Sequence, residues 1–314
     1  MKLFITRLVI LARKARDWVI AQALFALLAL ISRLPFDKAI AFIDWLARKV
    51  GPLTSRHKLV RANLKRAYPE KTDDEREAIG LEMWSSMARL AAEYIFLDQI
   101  FDFDPERNGE GRIEVEGVPI FRDLLERPRP FIVFTAHTGN FELLPIAAAT
   151  FGLDVTALFR PPNNPYIADR LFSARRTRSG ALVPSHAGAA WNLARALDRG
   201  AGVGMLVDQK FRKGPKTRFF GQEVQTNPLL AKLVRQYECE VFPARCIRLP
   251  DNRFRLVIEP AIAVPRTADG HVDVAATAQV LNDKVEEWVR EYPGQWQWFH
   301  DRWRIRRKLE RGEI

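Results

Sequence analysis

Cysteine is nearly absent from this chain, with two in 314 residues, Cys239 and Cys246. That excludes a disulfide framework and any zinc or iron–sulfur centre built from thiolates, which need more sulfur ligands. The two read instead as small buried hydrophobes of a reducing compartment. Histidine is scarce too, at five residues. The chain has no internal repeat and no low-complexity linker. It also lacks an apolar run of the roughly 20 residues that a spanning helix needs. Hydrophobic residues make up 47% and charged residues 28%. That balance is globular and excludes a disordered chain, a collagen-like chain and a polytopic channel. The length suits one large domain or two small ones.

Charge is unevenly placed. Residues 1–66 hold 14 Lys and Arg against 3 Asp and Glu, which equals the whole net charge of +11. The rest of the chain is balanced. A nucleic-acid protein spreads positive charge over a folded face. Here the excess surrounds the apolar run 18–32, WVIAQALFALLALIS, which reads as attraction to anionic lipid rather than to nucleic acid. As a helix these 15 residues extend about 22 Å, short of a hydrocarbon core of about 30 Å. A cleaved signal peptide lacks its small-residue site, since Arg33 and Pro35 follow directly. A buried core helix is a second reading. A membrane anchor, short and tilted or lying in the interface, is the third and the one preferred. Residues 36–50 are amphipathic, with Ile40, Ile43, Leu46, Ala47 and Val50 at helical spacing. They either extend the membrane contact or pack on the body.

Gly51 and Pro52 break these helices and divide the chain into an anchor, 1–50, and a body, 51–314. Residues 56–68 read as a helix that ends before Pro69. Thr72 and Glu75 form a capping box for a helix running to residue 95. Residues 109–117 read as turns, and 118–126 as a helix stopped by Arg-Pro-Arg-Pro at 127–130. An alternation follows. Strands are expected at 131–136, 153–159, 202–207, 241–248 and 254–262. Helices are expected at 142–150, 166–178, 188–198, 227–237 and 272–291, with Thr226 capping the fourth. Alternation of this kind predicts an α/β domain with a largely parallel central sheet flanked by helices. In such sheets the site lies beyond the carboxyl ends of the strands.

Three segments occupy that position. After FIVFTA comes His137-Thr138-Gly139-Asn140-Phe141-Glu142. A histidine with a carboxylate makes a general base whose imidazolium is stabilised as it forms. Residues five apart diverge on a regular helix, so the pair meets only if His137 lies on the turn and Glu142 in the first helical turn. The other reading is a capped helix with a solvated Glu142. Zinc is excluded, because no other His or Cys lies within 40 residues. After the second strand, three prolines stiffen a loop that presents Arg160, a planar donor suited to phosphate or a plain surface charge. Arg170, Arg175, Arg176 and Arg178 follow on a helix. After the third strand come Asp208-Gln209-Lys210, with Asp208 read as orienting a loop or a partner. Basic residues then interleave with Phe211, Phe219 and Phe220, suited to phosphates beside acyl chains or to a solvated loop. Trp296, Trp298, Phe299, His300 and Trp303 crowd the C-terminal stretch, suited to an interface belt or a hydrophobic groove, or to a tail packed on the body.

In order and spacing these segments resemble the bacterial lipid A biosynthesis acyltransferases, the secondary lauroyl/myristoyl type of the HX4D/E acyltransferase superfamily. The resemblance runs from the basic N-terminus through Arg61-Ala62-Asn63-Leu64 and Tyr68-Pro69-Glu70. It includes His137-x4-Glu142, the loop 160–165, Arg176-x-Arg178-Ser179, Asp208-Gln209, Phe219-Phe220-Gly221, Thr226 and the Pro-x-Gln-Trp-x-Trp-x-His run at 293–300. Lys210 departs from the acidic residue that often follows Asp208-Gln209 in relatives. The resemblance implies a glycerolipid-acyltransferase-like α/β fold on the cytoplasmic face of the bacterial inner membrane. It implies an acyl chain donated by acyl carrier protein to a hydroxyl of a 3-hydroxyacyl chain on a Kdo-bearing lipid A precursor. His137 would take the hydroxyl proton and Glu142 would orient His137. Arg160, Arg176 and Arg178 would hold anionic groups of the acceptor, with Asp208 and Gln209 also in the substrate groove. No metal or bound cofactor is implied, because the thioester is already activated. The rival readings are an acyltransferase for another membrane lipid and a non-catalytic membrane-surface protein.

Overall fold

The computed structural model of the chain describes residues 2–103, 111–176, 180–185 and 188–313. The N-terminal part is helical: α1 (Lys2–Ile31), α2 (Phe36–Val50), α3 (Ser55–Ala67), α4 (Asp73–Glu93) and the short α5 (Leu97–Ile100). The capping box forms at α4, where the Thr72 hydroxyl accepts from the Glu75 N–H and the Glu75 carboxylate accepts from the Thr72 N–H at 2.7 Å. Then come β1 (Ile113–Glu116), α6 (Val118–Glu126), β2 (Phe131–Thr135), α7 (Leu143–Thr150), β3 (Val155–Phe159) and α8 (Pro165–Arg176). They are followed by β4 (Ala181–Pro184), α9 (Ala189–Asp198), β5 (Gly202–Leu206), β6 (Lys216–Phe219), β7 (Gln222–Gln225) and α10 (Leu229–Tyr237). The chain closes with β8 (Glu240–Arg248), β9 (Phe254–Ile258), α11 (Val274–Glu291) and the short α12 (Arg306–Glu310).

Among the described residues, seven strands form one sheet in the order β1-β9-β8-β2-β5-β3-β4. Every pairing is parallel except β8 with β9. The α/β class and the mostly parallel sheet are as the alternation predicts. Side chains alternate across β2. Ile132 and Phe134 enter the main core, where Phe134 stacks on Trp288 of α11. Val133 and Thr135 face the other way, toward α6 and α7.

Three expectations change. Helix α10 begins at Leu229 rather than at 227: Pro228 takes the N-cap position, and the Leu229 N–H donates to the Asn227 side chain instead of entering the helix ladder. Thr226 is buried instead and hydrogen-bonds Thr217 and Asn282. Phe219 and Phe220 belong to a two-stranded hairpin, β6–β7, and are buried against Tyr68, Trp296, Trp298 and Trp303. Apolar rings in contact with one another leave none of that surface for an acyl chain. Of the readings of the C-terminal stretch, packing on the body is the one seen, with Trp296 and Trp298 wholly buried.

Among the described residues, no helix is long and apolar enough to cross a membrane. Arg7, Arg13, Lys14, Arg16 and Asp17 interrupt α1. Its outer surface exposes Leu8, Ile10, Leu11, Trp18, Leu27 and Leu30, and the Arg170 guanidinium of α8 lies 4.7 Å from the Phe25 ring. Helix α2 buries Phe36, Ala39 and Ile40 in a cluster with Phe96, Ile113 and Leu143. The same helix leaves Phe42 and Trp45 exposed and stacked on each other.

Candidate active site

The site grows from the register of two neighbouring strands. Thr135 at the end of β2 pairs with Leu206 at the end of β5. Two residues beyond each pair member stand His137 and Asp208, so the parallel register brings them side by side. His137 Nδ1 donates to Asp208 Oδ1 at 2.8 Å, and the His137 backbone N–H donates to Asp208 Oδ2 at 3.1 Å. The Trp296 indole N–H donates to the same Oδ2 at 2.8 Å, and the Gln297 amide approaches it at 3.4 Å. Burial of this carboxylate by itself favours the neutral acid. The charge and hydrogen bonds of His137, with the indole of Trp296, outweigh it and hold Asp208 well below the ordinary carboxylate range. When the ring is neutral, a buried anion at Nδ1 fixes the tautomer: hydrogen on Nδ1, lone pair on Nε2. The Gln209 amide nitrogen lies 3.3 Å from that Nε2.

The carboxylate hydrogen-bonded to His137 is Asp208, where the sequence reading expects Glu142. Glu142 is the last residue before α7 and is itself buried, lining a cavity beside Phe141. The Phe141 ring meets His137 edge-on at 5.0 Å. Asp208, expected in the substrate groove, is buried with its carboxylate against His137 and Trp296.

The turn between His137 and α7 is held from beneath. Gly139 has φ +55°, and a Cβ there would come within 2.2 Å of the Cys246 carbonyl of β8. Only glycine allows this approach. The Gly139 N–H donates to the Gln295 carbonyl, while the Gln295 side chain spans the Arg248 N–H and C=O at 2.8 Å each. Asn140 donates to Glu93 at 2.9 Å, and Glu93 forms a buried two-pronged pair with Arg248. Removing one partner would strand a buried charge, which costs several kcal/mol (about 3–5).

The C-terminal stretch holds the other loop. The Lys210 N–H donates to His300 Nε2 at 3.1 Å, and the Lys210 ammonium lies 2.7 Å from Asp301. Burial pushes the His300 imidazole down to about 4, so it stays neutral and accepts. Arg302 is almost wholly buried and donates to the Gln209 and Gln225 carbonyls, Thr226 and Asn282. Trp296, Gln297, His300 and Arg302 escape the sequence reading as site residues; the available signal was their polar atoms interleaved with the tryptophans.

Beside the His137 turn lies an apolar cavity of about 370 Å³ between the sheet and helices α6 and α7. Thr135, Phe159 and Leu206 line it at the carboxyl ends of the strands, with Phe141 and Glu142. Val155, Leu153, Phe151 and Phe121 line its other end. Four residues of β3 separate the two ends, roughly 13 Å at 3.3 Å per residue. An imidazole in contact with Phe141, whose ring lines an elongated apolar cavity, suits proton abstraction next to a bound hydrocarbon chain. Arg160 is exposed at the carboxyl end of β3, with β5 between it and β2. Arg176 ends α8, its side chain outside the described residues, and Arg178 lies outside them altogether.

The family model described as bacterial lipid A biosynthesis acyltransferase matches residues 8–305. The chain is 26% identical to the lipid A biosynthesis lauroyltransferase of Escherichia coli K12 over 259 residues, 80% of each chain. It is 23% identical to the lipid A biosynthesis myristoyltransferase of the same organism over 267 residues, covering 83% of this chain and 79% of the relative. To the lipid A biosynthesis acyltransferase of Haemophilus influenzae it is 22% identical over 304 residues, 95% of this chain and 91% of the relative.

Proposed function

The chain belongs to the bacterial lipid A biosynthesis acyltransferases, and from that premise we propose that it moves a fatty acyl chain from acyl carrier protein to a hydroxyl of a 3-hydroxyacyl chain on a Kdo-bearing lipid A precursor. Acylation in lipid A biosynthesis follows from the family; donor and acceptor are our reading. The observation that carries it is the Asp208–His137 pair, with the His137 ring in contact with Phe141 of the apolar cavity.

In this mechanism His137 Nε2 takes the proton of the acceptor hydroxyl. The hydroxyl oxygen adds to the thioester carbonyl, and the tetrahedral intermediate expels the thiolate. His137 returns the proton to the thiolate as it leaves. Asp208, an anion on the opposite ring nitrogen, stabilises the imidazolium while it exists. The thioester is activated already, so the step calls on no metal or bound cofactor. The acyl chain occupies the cavity, where each buried methylene is worth about 0.8 kcal/mol. Arg160, Arg176 and Arg178 hold anionic groups of the acceptor, and Glu142 lies at the junction of cavity and base.

The N-terminal helices meet the cytoplasmic face of the bacterial inner membrane. Support comes from the exposed apolar side chains of α1, from Phe42 and Trp45 on α2, and from the basic residues among them. A helix of this composition lies in the interface and is drawn to anionic phospholipid.

The test uses purified full-length protein, acyl carrier protein bearing a labelled dodecanoyl or tetradecanoyl chain, and separate lipid acceptors. These are a Kdo-bearing lipid A precursor, a lysophospholipid, an ornithine lipid and a phosphoinositide mannoside. Label on the lipid A precursor alone is the expected result. Label on a different lipid would reassign the acceptor, and label on none would remove the acyl-transfer reading.

A further inference from the structure

The atom that the mechanism needs open is His137 Nε2, and it is already engaged. The side-chain nitrogen of Gln209 lies 3.3 Å away. The sense of this contact is set from the other side of the ring. Asp208 accepts the Nδ1 hydrogen, so in the neutral ring that a base requires Nε2 carries the lone pair. A lone pair requires a donor, and Gln209 therefore turns its N–H₂ rather than its carbonyl toward the ring. That N–H stands where the acceptor hydroxyl must stand to give up its proton.

The main chain around this side chain is fixed on both sides. Asp208 is held by Trp296, the Gln209 carbonyl by Arg302 at 3.1 Å, the Lys210 N–H by His300, and the Lys210 ammonium by Asp301. Three consecutive residues are thus pinned by the segment 296–302. The Gln209 side chain is held less firmly. Its contact with His137 is a single one, at 3.3 Å between neutral groups, and the residue is only half-buried. Freedom at this point belongs to the side-chain torsions alone.

We propose that Gln209 is a placeholder for the acceptor hydroxyl: it caps the His137 lone pair while no acceptor is present and swings aside when one arrives. The inference rests on the acyl-transfer reading of this site. The reaction it suppresses is hydrolysis. A water at Nε2 would give a proton to His137 and its oxygen would add to the thioester carbonyl. The C–S bond would break, and the proton would pass to the departing thiolate, leaving a free fatty acid and a thiol. Gln209 is on this account a specificity-determining residue, acting on the competition between water and the lipid hydroxyl.

Gln209→Leu removes the donor at nearly constant volume, and Gln209→Ala is the second variant should the first fail to fold. Two measurements are made on full-length protein. One is the ratio of hydrolysis of dodecanoyl-acyl carrier protein without lipid to transfer onto the lipid A precursor. The other is the rate at which diethyl pyrocarbonate modifies His137 in the unliganded protein, followed by peptide mass spectrometry. Loss of the cap should raise the ratio about 2- to 12-fold, the worth of one neutral hydrogen bond, and should speed modification of His137. An unchanged or lower ratio, or a His137 that reacts no faster, overturns the placeholder. Faster modification in the variant, with no acyl transfer in the parent protein, would keep the cap and sink the acyl-transfer reading.

Discussion

His137 donates its Nδ1 hydrogen to Asp208 at 2.8 Å across 71 positions of sequence. In the proposed mechanism Asp208 is the carboxylate that orients His137. Asp208→Asn presents an amide to Nδ1 and allows the wrong tautomer, with hydrogen on Nε2. Turnover should fall by about 10²–10⁴-fold, the usual worth of a general base. Glu142→Gln should cost less in kcat. Steady-state rates for both variants check this, and a larger kcat loss in Glu142→Gln would return the orienting role to Glu142.

The cavity predicts how donor length is read. Ala157 lines it from the middle of β3. Ala157→Leu adds three carbons of side chain to that wall and shortens the space available. Preference should shift toward shorter acyl chains, by roughly 0.8 kcal/mol for each methylene displaced, or about fourfold. Competition among decanoyl, dodecanoyl and tetradecanoyl carrier proteins measures the shift. An unaltered preference would place the chain elsewhere.

On α2 the exposed pair Phe42 and Trp45 predicts membrane contact away from α1. Phe42→Glu with Trp45→Glu should weaken binding to vesicles containing anionic lipid by at least about tenfold, since burying one such ring is worth about 1.5–3 kcal/mol. Phe36, Ala39 and Ile40 keep α2 docked, so thermal unfolding should change little. Co-sedimentation with vesicles provides the measurement. Binding that survives both substitutions leaves α1 as the membrane contact.

His300 predicts a pH effect on stability. Its folded value near 4 lies below its ordinary 6.5, mainly through burial. The unfolded chain therefore takes the proton first. The contribution is fully present above about pH 6.5 and is lost as pH falls from there toward 4. At full extent it is on the order of 3 kcal/mol. In His300→Gln the amide oxygen can still accept from the Lys210 N–H, and the slope of stability over this interval should flatten. Chemical denaturation at a series of pH values reads it.

Much of the architecture was legible because the runs FIVFT, VTALF and GVGML are short, apolar and bounded by turns, with helical patterns between them. Strand β1 escaped because Ile113–Glu116 is four residues, half of them charged. The β6–β7 hairpin escaped because its outward residues, Lys216, Arg218, Gln222 and Glu223, make it read as a polar loop. His137 and Asp208 could each be placed at a strand end, but their contact depends on β2 lying beside β5 in register, which no local pattern encodes. Arg302 and Glu93 were invisible for a related reason. Charged residues read as solvent-facing until a tertiary partner removes them from water, as Arg248 does for Glu93 and a set of carbonyls for Arg302.

The central claim is that His137 takes the proton of the attacking hydroxyl. The most direct test is the rate of transfer of labelled dodecanoyl chain from carrier protein to the lipid A precursor by His137→Ala, beside the parent protein. Circular dichroism and vesicle binding are recorded on the same preparations. The account predicts a rate lower by about 10²–10⁴-fold with both controls unchanged. A variant that transfers acyl chains within twofold of the parent would contradict it.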